Sequence, residues 1–74
     1  MSKKRQICFT DSAGAELFSI PDGGFLRLLY GNGDTHFSFC RCLDQTHAEI
    51  DGVKYAVQDF AQTMERNKII FAPA

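Results

Sequence analysis

Turn signals at Asp11–Gly14, Pro21–Gly24, Gly31–Asp34, Asp44–Thr46 and Asp51–Gly52 cut most of this chain into strand-length pieces. No helix of ordinary length fits between them, so the first two thirds must fold as short strands joined by tight turns. Residues 5–10 alternate, with Ile7 and Phe9 on one face and Gln6, Cys8 and Thr10 on the other, the pattern of a half-buried strand. "AELFSI", "FLRLLY", "THFSFCRCL", "HAEI" and "VKYAV" supply further strands, and Asn32-Gly33 and Asp51-Gly52 are hairpin signals between them.

One helix is expected, near the C-terminus. Val57, Phe60, Ala61 and Met64 fall at i, i+3, i+4 and i+7, which makes one apolar stripe. Asp59 near its start and Arg66 at its end suit the helix dipole, and Asn67 is a candidate left-handed terminating residue. "KIIFAP" then resumes extended structure. Val53 and Ala56 also extend the stripe backwards, so a helix capped by Asp51 competes with the hairpin. The hairpin is preferred because Val53, Lys54 and Tyr55 read as strand. The expected fold class is therefore α+β: a small, curved, mostly antiparallel sheet of five to seven short strands with one C-terminal helix packed on it. Phe37, Phe39, Leu26, Leu28, Tyr55, Phe60, Met64 and Ile70 are the expected core.

Seventy-four residues allow one domain, and a chain of this size buries only about 60% of its unfolded surface. Residues 1–4 read as a disordered basic tail, and residues 5–74 as a single domain. A deep substrate cleft is hard to build on so small a core, so no enzyme is expected. Net charge is −1, and the one basic run is Lys3-Lys4-Arg5, whereas nucleic-acid modules usually carry a basic face. No apolar segment of leader or membrane length is present. With three cysteines, the expectation is a cytoplasmic protein with reduced thiols and no membrane association.

The chemically richest stretch is "FCRCLDQTH", Phe39–His47. Zinc favours two cysteines spaced C-x2–4-C on a turn, but Cys40 and Cys42 are spaced C-x-C in a strand, with Cβ atoms almost 7 Å apart. A disulfide between them is strained, and no metal is expected. Cys42, His47 and Asp44 offer the residue types of a nucleophile pair and its orienter, without a glycine-rich oxyanion pocket. His47 and Glu49 share a strand face, as a surface pair does. The preferred reading is turn chemistry: Asp44 accepts backbone N–H bonds from residues just ahead of it, and His47 bonds back across the turn. Arg41 then reaches Asp44 or Glu65, pinning strand to helix. A base-stacking role for the aromatic residues is set aside, because most phenylalanines fall on alternations read as core-facing and no basic groove accompanies them. No catalytic, cofactor-binding or metal-ligating residue is assigned.

From Phe39 on, Cys40-Arg41, Asp44, His47, Tyr55, Phe60-Ala61 and Met64-Glu65-Arg66 form a pattern. It resembles that of a small domain associated with the large polyvalent proteins of conjugative and phage-like elements in gut Firmicutes. Cys42 departs from the pattern where an aromatic is expected, and Ala56 where a polar residue is. The resemblance implies an accessory role in a mobile genetic element and carries no activity. Two functions follow as expectations. The first is a non-catalytic interaction module with an unidentified protein partner, with Arg41, Asp44, His47, Tyr55 and Glu65 as candidate residues. The second is a nucleic-acid accessory domain using Lys3, Lys4 and Arg5, joined by Arg27 or Lys54. Steep salt dependence separates the second from the first.

Overall fold

A computed structural model describes residues 5–74; the basic tail assigned to residues 1–4, with Lys3 and Lys4, lies outside the described residues. Seven strands and one helix follow in order: β1 Gln6–Thr10, β2 Glu16–Pro21, β3 Phe25–Leu29, β4 Thr35–Cys42, β5 His47–Ile50, β6 Val53–Ala56, α1 Val57–Arg66 and β7 Ile70–Pro73. The fold is α+β, and all strand pairings are antiparallel. The single expected sheet is divided. β1 and β2 form a two-stranded ribbon, and the rest form a five-stranded sheet in the order β6-β5-β4-β3-β7.

The division is made at Pro21–Gly24. There the chain turns back under β4, with Gly23 N–H donating to Cys40 O and Cys40 N–H to Gly24 O, both at 2.9 Å. Asp22 accepts from Cys42 N–H at 2.7 Å. The turn needs glycine at its last position, since a Cβ on Gly24 would stand 2.9 Å from Pro21 O. The ribbon is thereby folded across one face of the large sheet instead of extending its edge.

The Asp51-Gly52 hairpin forms, with φ of 53° and 82° at its two residues, both positive as a type I′ turn demands. The helix starts at Val57, so the longer alternative does not occur. The β3–β4 loop is longer than the expected Asn-Gly pair. Tyr30 N–H bonds Asp34 O, and Gly33 takes the positive φ, 92°. At the helix C-terminus Asn67 has φ −93°, and Lys68 instead is left-handed at 57°.

The core lies between the ribbon, the helix and one face of the large sheet. Ile7, Phe9 and Ile20 from the ribbon meet Val57, Phe60 and Met64 from the helix and Leu26, Leu28, Cys40, Ala48 and Ile50 from the sheet. Phe9 is fully buried and sits among Phe18, Phe60 and Phe71, with ring centroids at 5.4, 6.0 and 5.9 Å. Four of the expected core residues are buried: Leu26, Leu28, Phe60 and Met64. Tyr55 is partly buried, its ring edge-on to Phe60 at 5.3 Å. Phe37, Phe39 and Ile70 are not core residues: 56%, 44% and 65% of their surfaces stay open. The cause is period-two geometry, because Phe37 and Phe39 share their face with Arg41 and pair with Arg27 and Phe25 of β3. The charged arginines must reach water, and the phenylalanines are carried outward with them.

Candidate binding face

The Asp44 turn closes as a dense local network. One carboxylate oxygen, Oδ1, accepts from Thr46 N–H and His47 N–H at 2.8 Å each and from the Thr46 hydroxyl at 3.1 Å. His47 Nδ1 lies 3.1 Å from the same oxygen and 2.8 Å from the Thr46 hydroxyl. The Thr46 backbone bond, followed by the His47 ring, draws the Asp44 pKa down to about 2. Because the folded value lies below the unfolded one, near 3.8, the network stabilises the fold above pH of about 4 and its contribution fades toward about 2. An NMR titration is expected to give Asp44 a midpoint close to 2. Asp44→Ala is expected to lower Tm at neutral pH and to flatten the Tm decline across that acid window. An unchanged acid limb would mean that the turn does not depend on this carboxylate.

The other expected partners separate. Among the described residues Arg41 has no carboxylate within 4.0 Å, so it does not pin β4 to α1. Glu65 serves a different joint, its two oxygens accepting from Ser12 N–H at 2.9 Å and the Ser12 hydroxyl at 2.8 Å. Gln58 donates to Ser12 O at 2.9 Å, so three bonds tie the helix to the β1–β2 turn. Arg5 donates to Leu43 O at 2.9 Å at the end of β4.

Sequence reasoning missed a second polar cluster. Ser38, fully buried on β4, donates its hydroxyl to Asp51 Oδ2 at 2.8 Å, and His36 Nε2 lies 3.0 Å from the same oxygen. Burial pushes the Asp51 pKa up, but bonds from Ser38 and His36 outweigh it and leave the carboxyl below its usual range. Serine, histidine and aspartate are present, yet serine and histidine both point at the carboxylate. The serine hydroxyl is held by the carboxylate and not by the imidazole, so the arrangement lacks the histidine–serine contact of a nucleophile pair and braces the β5–β6 hairpin.

Two of the thiols are equally quiet. Burial and the charge of Asp51 raise Cys40 to about 11. Burial, then the Glu16 side chain, raises Cys8; raised thiols are poor nucleophiles. Cys8 lines a cleft of about 370 Å³ with Thr10, Thr46, His47, Val57 and Asp59, beside a helix start that carries its own carboxylate. Among the described residues no group of three or more His, Cys, Asp or Glu is placed to hold a metal. No helix there is long and apolar enough to cross a membrane.

What remains is the outer face of the large sheet. In register across β3 and β4 stand Phe25 opposite Phe39, Arg27 opposite Phe37, and Leu29 opposite Thr35. β7 adds Ile70 beside Leu29 and Ala72 beside Arg27. Toward β6 the face turns polar, with Arg41 opposite Glu49 and Glu49 opposite Lys54. Phe25, Leu29, Phe37, Phe39 and Ile70 are each more than 40% exposed. Phe25 and Phe39 meet edge-to-face at 5.5 Å. Exposed apolar side chains gathered on one face, as opposed to scattered singly, are the feature that a binding surface presents. Its sequence signal is "FLRLL", a strand apolar on both faces but for one arginine.

The chain matches no family model, no curated protein and no solved structure with which it was compared.

Proposed function

We propose that the domain is a non-catalytic binding module whose working surface is the outer face of the five-stranded sheet. The observation that carries this reading is the exposure of Phe25, Phe37 and Phe39 together, on the face turned away from the core. Exposing three phenylalanines gains the isolated fold nothing, since burying each of them would add about 1.5–3 kcal/mol. The groups with chemical potential support the same conclusion, because Asp44, Asp51, His36 and His47 bond one another or nearby turns, and Cys40 is buried. The likeness of the C-terminal half to domains of polyvalent mobile-element proteins supplies an accessory setting for such a module.

The test is affinity capture from the native host with the wild-type chain and with Phe37→Ala as bait, analysing both protein and nucleic acid. Phe37→Ala is expected to keep its stability within about 0.5 kcal/mol, as a surface substitution does, and to lose whatever the wild type retains. Equal recovery by both baits would remove the outer face from consideration.

A further inference from the structure

Resting on the reading of the outer face as the working surface, we propose that its partner is a single-stranded nucleic acid. Its bases stack on Phe25, Phe37 and Phe39, and its phosphates contact Arg27, Arg41 and Lys54. A stacking platform needs exposed rings with cations beside them, and it tolerates any sequence because every base offers a π face. Both requirements meet here. Phe25 and Phe39 are cross-strand neighbours at 5.5 Å, and Phe37 lies two residues along the same strand, about 7 Å away at strand spacing. Arg27 stands directly opposite Phe37, within the row of rings.

The local charge is the reverse of the whole chain's. The net charge is −1, yet the strands of the large sheet carry three cations, Arg27, Arg41 and Lys54, and a single carboxylate, Glu49. All four occupy outward positions of the register. Among the described residues none of the three cations has a carboxylate within 4.0 Å. Glu49 stands opposite both Arg41 and Lys54, which leaves Arg27 as the cation with no facing carboxylate and the face with a surplus of positive charge. Arg5 anchors the chain to Leu43 O just beyond Arg41, and in sequence Lys3 and Lys4 immediately precede it. Two other occupants fit less well. A second copy would press two cation-bearing faces together, and a purely apolar protein surface would leave Arg27 without a counter-charge among the rings.

The probes are short fluorescein-labelled oligo(dT) and oligo(U) and a duplex of equal length, followed by anisotropy from low to physiological salt. An amide-resolved NMR titration with oligo(dT) accompanies them. Single strands are expected to bind in preference to duplex, with log K falling against log salt at a slope of about −2, at about 0.7 per cation for three cations. Phe37→Ala is expected to weaken binding about tenfold or more through lost stacking, and the largest amide shifts are expected in β3 and β4. The inference is overturned by no binding at low salt, by duplex binding as tight as single-strand binding, by insensitivity to Phe37→Ala, or by shifts centred elsewhere. If single strands fail but light scattering finds a Phe37-dependent dimer, or a Phe37-dependent protein is captured, the outer face stands as the working surface and only the nucleic-acid assignment falls. If Phe37→Ala changes nothing in any assay, both fall.

Discussion

Phe9→Ala is expected to remove a large share of the fold's stability and to give the largest Tm loss of the substitutions considered. Phe9 is fully buried, and its ring touches those of Phe18, Phe60 and Phe71, so it joins ribbon, helix and β7 at once. Emptying such a site costs about 3–5 kcal/mol, because the lost transfer energy is joined by a cavity that three rings from different elements cannot collapse to fill. A domain of this length has only about 4–11 kcal/mol of stability, at about 0.05–0.15 kcal/mol per residue. Tm should fall by at least about 12 °C, given about 4–8 °C for each kcal/mol in a domain of this size. Thermal melting followed by circular dichroism checks it. Phe37→Ala serves as the internal control: the same residue type, on the opposite face of the fold, should move Tm little. Equal losses from the two substitutions would mean that the core has been placed on the wrong side of β4.

Asp51→Ala is expected to have the second largest effect, and for two separable reasons. It removes the acceptor of the Ser38 hydroxyl, which is fully buried. It also places alanine at φ 53° in the hairpin turn. An orphaned buried hydroxyl costs about 1–3 kcal/mol and a left-handed alanine about 1 kcal/mol, so the loss should reach about 2–4 kcal/mol. Asp51→Asn retains an acceptor and tolerates the turn, and should recover more than half of the loss. The Asp51 carboxyl is depressed below its ordinary range, so its contribution is present above the unfolded pKa and lost as pH falls through the folded one. The wild-type Tm should therefore decline in acid more steeply than that of Asp51→Asn. Urea denaturation of the three proteins at neutral pH measures the first effect and thermal melting at neutral and acid pH the second; an Asp51→Ala protein as stable as wild type would show that Ser38 needs no partner.

The sequence alone determined every strand segment, the helix and most turns. Those features depend on neighbours a few residues apart, as in Asp51-Gly52, whose two residues accept positive φ, or the Val57, Phe60, Ala61 and Met64 stripe. The Asp44 turn was legible for the same reason, since all its bonds close within three residues. The solvent-facing side of the sheet was legible in principle as well: Arg41 shares a face with Phe37 and Phe39, and a charge weighs more than a ring in deciding which face stays wet. Only the tertiary structure decided the rest. The ribbon folds over the large sheet because Pro21–Gly24 bonds to the backbone of β4, residues far apart in sequence. Glu65 finds Ser12 and not Arg41 because the ribbon, once folded over, brings its turn to the helix. Ser38, His36 and Asp51 meet only when β4 and the β5–β6 hairpin pair in one register. Local pattern fixes which way a backbone runs, but the partner of an outward or inward side chain is set by packing between segments, and that is where the three-phenylalanine face arose.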